Sequence, residues 1–165
     1  MYTHKTHEKC ADILLERLAL IKLSQIILSA ITTASFVTVV VGSNLAAAVL
    51  GTTASTLLLA LNTYTKDYDL GELAQKHRHT AGEVWNIREQ YLSLLADIRT
   101  ADIDRQEIRR RRESLREELH ATYSGAPSTT FKAYRRAQMS LQQAEEMTFS
   151  DAELDTLLPP DLRRC

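Results

Sequence analysis

Hydrophobic side chains are concentrated in one part of the chain, residues 23–65, where no Asp, Glu, Lys, Arg or His occurs. Gly42, Ser43 and Asn44 interrupt this apolar segment near its middle, and residues of these types favour a turn. Each half, residues 23–41 and 45–63, would extend roughly 28 Å as an α-helix, close to the ~30 Å hydrocarbon thickness of a bilayer. The pattern therefore predicts two membrane-spanning helices joined as a hairpin.

The residues before the apolar segment also predict a helix. Residues 1–22 contain neither Gly nor Pro, and Leu14, Leu18 and Ile21 recur at steps of three and four. We therefore expect a cytoplasmic helix over 1–22 that leads directly into the first span.

The chain after the hairpin, residues 66–165, predicts four more helices, over about 70–99, 104–122, 129–147 and 150–158. The first of them carries a narrow apolar stripe, which suits packing in a bundle. Ser150 and Glu153 have the spacing of a capping box at the start of the last helix. The expected fold class is all-α: a two-helix transmembrane hairpin continuous with a cytoplasmic helical bundle.

Basic residues flank the hairpin and are absent from its turn. Because short loops rich in Lys and Arg stay in the cytoplasm, we expect both termini there and the turn on the outer side of the membrane. The residues that carry this prediction are Lys5, Lys9, Arg17 and Lys22 before the hairpin, and Lys66, Lys76 and Arg78 after it.

The net charge, the cysteines and the absence of catalytic motifs indicate which classes of function are not expected. The formal net charge of −1 gives no reason to expect direct binding of nucleic acid. Cys10 and Cys165 lack the spacing of a disulfide or metal site, so we expect both to be reduced. The sequence has no phosphate-binding glycine loop, nucleophile motif or metal-ligand spacing. We therefore expect a protein that is not an enzyme and holds no cofactor or metal.

Short motifs follow the hairpin in a recognisable order. They are His77, Ala81, residues Trp85-Asn86-Ile87-Arg88-Glu89-Gln90-Tyr91, residues Tyr123-Ser124-Gly125-Ala126-Pro127-Ser128-Thr129, and residues Ala133-Tyr134-Arg135-Arg136-Ala137. With the two spans, this order resembles the SLATT family, the two-transmembrane effector domains of bacterial nucleotide-signalling and other defence systems. The resemblance implies an effector in the bacterial inner membrane that forms pores or perturbs the membrane, and thereby arrests or kills an infected cell. It also implies a trigger from a separate sensor protein or from a small-molecule or nucleic-acid signal.

Polar side chains within the two spans are the first candidate site. Two interpretations remain open: small and hydroxyl side chains pack the helices together and bond across them, or several hairpins assemble and these faces line a wet lumen. Their number favours oligomerisation. The candidates are Gln25, Ser29, Thr32 and Thr33 on the first span, and Thr52, Ser55, Thr56 and Asn62 on the second.

The family-motif residues are the second candidate site. We expect them to clamp the long helix against the turn at 123–129, with ligand recognition as the alternative. Arg88 lies on the apolar stripe and needs a partner if it is buried, but Glu89 is its immediate neighbour and should not face it on a helix. The residues concerned are His77, Trp85, Arg88, Glu89, Tyr91, Tyr123, Pro127 and Tyr134.

The arginine run at 109–112 has two interpretations as well. Acidic residues almost balance it along the same helix, and Glu107 and Arg111 have i,i+4 spacing. A solvated face with ion pairs is therefore expected, and binding of anionic headgroups or a phosphate signal is the alternative.

Together these features predict a membrane effector that oligomerises into a pore or membrane-disrupting assembly when a partner or signal triggers it. The alternative is a non-conducting membrane anchor or scaffold that recruits a cytoplasmic enzyme. A third possibility is a soluble helical bundle that buries the apolar hairpin.

Overall fold

A computed structural model describes residues 1–42, 44–100 and 103–159. Every regular element in these ranges is an α-helix, which confirms the predicted all-α class. Ser43 of the predicted turn, Pro160 and Cys165 lie outside the described residues. The helices are α1 (Tyr2–Gly42), α2 (Leu45–Asp67), α3 (Leu70–Thr100), α4 (Arg105–Gly125), α5 (Phe131–Gln142) and α6 (Asp151–Leu157).

The chain forms two compact units. Residues 11–79 form the first, called the membrane unit below, and residues 1–10 together with 80–165 form the second, called the bundle unit. Helices α1 and α3 each contribute to both units, since the division falls within α1 after Cys10 and within α3 after His79. The first ten residues therefore belong to the bundle unit, although they continue into the first apolar span.

The membrane unit contains the two apolar segments as long helices. Helix α1 continues without interruption from Tyr2 to Gly42, and α2 begins at Leu45. The side chain of Asn44 caps α2 by accepting hydrogen bonds from the backbone N–H groups of Ala46 and Ala47. This cap satisfies donors that would otherwise be exposed at the helix end.

Two helices are long and apolar enough to cross a membrane, and only 6% of the most apolar window of each is buried within the protein. A soluble protein with a hydrophobic hairpin would cover that surface with its own chain. The structure thus contradicts the third possibility, a soluble bundle that buries the hairpin.

The bundle unit has a core of its own. Ile87 and Leu94 of α3 pack with Leu115 of α4, and Tyr91 and Leu119 are packed against them. Small residues complete the interior of this unit: Cys10 is 3% exposed, and Ala133 and Ala137 of α5 are fully buried. Small residues in these positions permit short distances between helix backbones.

The helices of the bundle unit begin at side-chain caps. Asp104 caps α4 and Thr130 caps α5. The capping box expected at α6 is present, because the Ser150 hydroxyl accepts from the Glu153 backbone and the Glu153 carboxylate accepts from the Ser150 backbone.

One predicted helix is too long. The sequence predicts a helix over 129–147, but α5 ends at Gln142. The N–H groups of Gln143 and Ala144 both donate to the carbonyl of Met139, and the Glu146 N–H donates to Ser140 at 3.0 Å, so the chain leaves the helix in a wide turn. No Gly or Pro marks this end; the turn brings Glu146 to two lysines near the N-terminus.

Candidate membrane-active site and the bundle motif

The two apolar helices touch at a close backbone approach. Ser35 and Ala54 are buried there, at 6% and 4% exposure. A Cβ atom placed on Gly51 would lie 2.8 Å from the Cβ of Ser35, which is shorter than van der Waals contact. Glycine at position 51 therefore lets α2 come this close to α1.

Hydroxyl groups of the spans bond within their own helices. Thr32 donates to the carbonyl of Leu28 at 2.8 Å, and Thr52 donates to that of Ala48 at 2.9 Å. Thr33 and Thr56 make the same bond to the carbonyl four residues earlier. These four hydroxyls donate within their own helices rather than to the neighbouring helix, because the i−4 carbonyl is within reach of a helical hydroxyl. Each donor is satisfied before any lipid, water or second protein approaches.

A hydrogen bond between the two helices does occur, at the end of the hairpin away from the turn. The Gln25 Nε2 donates to the Asn62 Oδ1 at 2.9 Å, between residues 37 positions apart. Unlike a threonine hydroxyl, these longer amides reach across to the neighbouring helix. The bond fixes the register of α1 against α2.

The eight candidate residues of the spans line two grooves on the hairpin. A groove of about 370 Å³ near the turn, called the turn groove, contains Thr32, Thr52, Ser55 and Thr56, with Gly51 and Ala48 beside them. A groove of about 940 Å³ towards Lys22, called the base groove, contains Gln25, Ser29, Thr33 and Asn62, with Ala30 and Ala34 beside them. Phe36 and Val39 also line the turn groove, and Ile26 and Leu58 also line the base groove, so both grooves combine small and polar side chains with large apolar ones.

In the bundle unit, Trp85 lies against the N-terminal end of α1. The His4 ring centroid is 5.0 Å from that of Trp85, and the Arg88 guanidinium carbon is 4.5 Å from the centre of the indole ring. The His4 Nδ1 lies 2.9 Å from the carbonyl oxygen of Ala81 and donates to it in the tautomer that is protonated there. This cluster holds residues 2–10, the N-terminal segment, on α3.

Arg88 has a partner that its sequence position did not predict. It pairs with the carboxylate of Glu89, its immediate neighbour, while its guanidinium covers Trp85. The expectation that these two residues do not face each other is wrong, because both side chains are long enough to bend around the helix. Tyr91, the last residue of this motif, packs against the α3–α4 core.

The remaining motif residues occupy different places. Tyr123 is 46% exposed, Pro127 is half-buried, and Tyr134 is 44% exposed with its ring centroid 6.1 Å from that of Tyr2. The sequence placed the motif against the turn at 123–129, whereas the contacts found for Trp85 and Tyr134 both lead to the N-terminal segment.

His77 belongs to the membrane unit and is buried, at 3% exposure. Burial lowers its pKa from the ordinary value of 6.5, because a charged imidazole loses its hydration there. His77 is therefore neutral at pH 7.

Sequence reasoning missed the ionic contacts of the N-terminal segment. Lys5 lies 2.6 Å from the Glu146 carboxylate and 3.0 Å from Glu8, and Lys9 lies 3.6 Å from Glu146. The hydrogen bond from Lys5 lowers the pKa of Glu146. No local signal connects positions so distant in sequence, so the pair could not be found from spacing.

Some arginines of the run at 109–112 in α4 form ion pairs, and others face solvent. Glu107 accepts from Arg110 at 2.8 Å and from Arg111 at 3.0 Å, and Arg111 also reaches Asp97 of α3 at 3.0 Å. The hydrogen bonds from Arg110 and Arg111 lower the pKa of Glu107 to about 2. The pair of Glu107 with Arg111 is the predicted i,i+4 pair, Arg110 adds an i,i+3 pair to the same carboxylate, and Arg109 is exposed.

Two helices that are long and apolar enough to cross a membrane, with most of their surface uncovered, indicate a membrane protein that also has a helical bundle unit. The chain belongs to the SMODS and SLOG-associating 2TM effector domain family 4, which it matches over residues 1–153. This match confirms the resemblance to the SLATT family of membrane effector domains. No curated protein and no solved structure matches the chain.

Proposed function

We propose that this protein is an effector of a bacterial anti-phage or conflict system that acts at the inner membrane. On a cue from a separate sensor or signal, its hairpins oligomerise into a pore or membrane-disrupting assembly and stop growth or kill the cell. The proposal involves no catalytic step and no cofactor. Membrane lipid and further copies of the chain are its expected partners.

The uncovered surface of the hairpin is the observation that carries this proposal. Ser35 and Ala54 are the buried residues of the described part of 23–65, so the two helices cover little of each other. In lipid, helices associate through close packing of small residues and interhelical hydrogen bonds. The turn and base grooves offer both kinds of contact to a neighbouring hairpin.

The hydroxyl arrangement is compatible with two environments, which an inducible effector needs. A threonine that donates to its own helix has no unsatisfied donor when it faces lipid. Its oxygen still accepts a hydrogen bond, so the same face also tolerates water. Thr52 and Thr56 can therefore face lipid in a resting state and a lumen after assembly.

The proposed topology has both termini in the cytoplasm and Asn44 outside, because basic residues flank the hairpin and its turn carries none. A membrane-impermeant maleimide tests it. A cysteine at Asn44 should react in intact cells, and a cysteine at Thr3 should react only after the cells are permeabilised. The reverse pattern would contradict the orientation.

A scaffold is the second candidate function, and exposed side chains of α5 favour it. Phe131 is 75% exposed and Met139 is 51% exposed, and Phe131 stacks with Tyr134 at 6.5 Å between ring centroids. Exposed aromatic and methionine side chains are typical of protein interaction surfaces. A recruited enzyme could bind here without any conductance through the hairpin.

One triple variant separates pore from scaffold. We expect Thr52→Leu, Thr56→Leu and Asn62→Leu together to abolish depolarisation when the protein is expressed with its native neighbours and triggered. The matched control is Thr38→Leu, Thr53→Leu and Thr63→Leu, which removes threonines with the same i−4 bonds from positions that do not line the two grooves. Depolarisation that persists in the first triple variant would contradict a pore. An intact membrane potential after the wild-type protein is triggered would also contradict it.

A further inference from the structure

Glu146 joins the loop between α5 and α6 to the N-terminal segment. Its carboxylate lies 2.6 Å from the Lys5 Nζ and 3.6 Å from the Lys9 Nζ. The side chains of Lys5 and Lys9 are only 12% and 19% exposed, while that of Glu146 is 40% exposed. Water is therefore largely excluded from the lysines but still reaches the carboxylate, so the contact is screened by solvent and open to competition from another anion.

The backbone on each side of Glu146 is strained. Glu145 and Met147 have φ angles of 50° and 71°, in the left-handed region that residues with a side chain rarely adopt. Such conformations persist where surrounding contacts hold them, and they favour release when those contacts are lost. The two lysines are contacts of this kind for the loop.

The held segment is continuous with the first apolar helix. Lys5 and Lys9 belong to α1, which extends to Gly42. Other contacts hold the same segment: His4 meets Trp85, and the Gln142 amide, at the end of α5, donates to the Tyr2 hydroxyl at 2.9 Å. A change in how the bundle unit holds residues 2–10 therefore acts on the helix that carries the first span.

We propose that the loop at 143–150 is a latch whose Glu146 carboxylate holds Lys5 and Lys9, and that the trigger of the proposed membrane effector acts by releasing it. The effect of the latch at the membrane depends on the proposed function. A ligand or partner that presents an acidic or phosphate group to Lys5 and Lys9 displaces Glu146. The strained loop then relaxes, and the N-terminal segment is free to move with α1.

The first test measures the latch itself in full-length protein in lipid nanodiscs. Glu146→Lys places a third positive charge beside two lysines, and like charges in contact cost enough to speed amide exchange in residues 2–10 by about tenfold or more. Glu145→Lys is the matched control, since it makes the same charge change one residue away in the same loop. Unchanged exchange at Leu115 would show that the α3–α4 core remains folded.

A charge swap makes this test specific. Lys5→Glu, Glu8→Lys and Lys9→Glu added to Glu146→Lys should restore slow exchange, because the contacts of residue 5 with residues 8 and 146 and that of residue 9 with residue 146 are all rebuilt with opposite signs. Trp85 gives a second readout: it is the only tryptophan of the chain and contacts His4, so its fluorescence should change in Glu146→Lys and return in the swapped variant. Exchange and fluorescence that stay at wild-type values in Glu146→Lys would overturn the latch.

The second test measures the consequence in cells. Glu146→Lys should depolarise the membrane without a trigger, whereas Glu145→Lys and the swapped variant should need one. If the segment is released but depolarisation still requires the trigger, the latch does not control the effector and the proposal is wrong. If triggered wild-type protein never depolarises the membrane, the proposed function fails and the consequence of the latch fails with it. The exchange result would then still decide whether Glu146 holds the segment.

Discussion

The side chains of the two units find their packing and hydrogen-bond partners in different ways. In the bundle unit, Ile87 and Leu115 form a buried core, and polar contacts such as that of His4 with Ala81 connect residues far apart in the sequence. In the apolar hairpin of the membrane unit, threonines bond to their own helix, and Gln25–Asn62 connects side chains of the two spans. The bundle unit buries a core of its own, whereas the hairpin leaves most of its apolar surface uncovered.

This difference shows where specificity and adaptability lie. A core with interlocking side chains has one well-defined arrangement. A hairpin with self-satisfied hydroxyls and two open grooves can change its neighbours without breaking its own hydrogen bonds. Under the proposed function, the bundle unit would restrain the effector and the hairpin would assemble with other copies.

Removing a core side chain should have the largest effect and should be confined to the bundle unit. Ile87→Ala removes a side chain that is 2% exposed and should lower the free energy of unfolding by about 2–5 kcal/mol. Leu95→Ala, at a position 56% exposed, is the control and should cost much less. Thermal unfolding in detergent, followed by circular dichroism, measures both. Equal losses would contradict a self-contained core.

Two glycine substitutions, one in each unit, should change stability in opposite directions. Gly51→Ala places a methyl group 2.8 Å from the Ser35 Cβ and should destabilise the hairpin by about 1–3 kcal/mol. Gly82→Ala meets nothing within 4 Å and should stabilise α3 by roughly 0.5–1 kcal/mol, since alanine is the better helix former. Unfolding in denaturing detergent measures whether each substitution raises or lowers the stability. A neutral Gly51→Ala would show that the helices approach less closely.

The cross-helix amide bond should matter less than the close approach. Asn62→Leu removes the partner of Gln25 and should cost about 0.6–2 kcal/mol, the usual range for polar contacts between membrane helices. Thr63→Leu is the control, because its hydroxyl bonds within its own helix at 3.0 Å. Spin labels at residues 23 and 64 would report any widening of the hairpin. Identical distance distributions in the two variants would contradict a bridging role.

The smallest expected effect is a pH dependence in the membrane unit. Burial lowers the pKa of His77 below 6.5, so the unfolded chain binds the proton more readily than the folded one. Stability should therefore fall as the pH drops below about 6.5, and His77→Gln should flatten that dependence. His79→Gln, at an exposed position, is the control. Melting temperatures between pH 7.5 and 5.5 that fall equally in all three proteins would exclude His77.

The sequence predicted features that arise from local chemistry. The apolar segments of α1 and α2 follow from the absence of charge, and the Ser150–Glu153 capping box from the side chains at the start of α6. The family resemblance, which rested on short helical motifs and their order, is confirmed over residues 1–153. Each of these signals lies within a few residues or along one helix.

Contacts between distant residues could not be predicted in this way. No Gly or Pro indicates that α5 ends at Gln142, and no local signal connects Glu146 to Lys5, which lies far away in the sequence. The same holds for Trp85, whose sequence neighbours suggested a clamp but whose ring contacts His4. The division of the arginine run also depends on Asp97, a residue of the preceding helix.

Conductance of the purified protein tests the central claim most directly. Protein carrying Glu146→Lys, which needs no trigger under the proposed latch, would be reconstituted in potassium-loaded vesicles, and so would the same protein with Thr52→Leu, Thr56→Leu and Asn62→Leu added. We expect rapid potassium release from the parent and little from the variant with leucines in the grooves. Rapid and equal release from both would contradict conduction along the turn and base grooves of the hairpin.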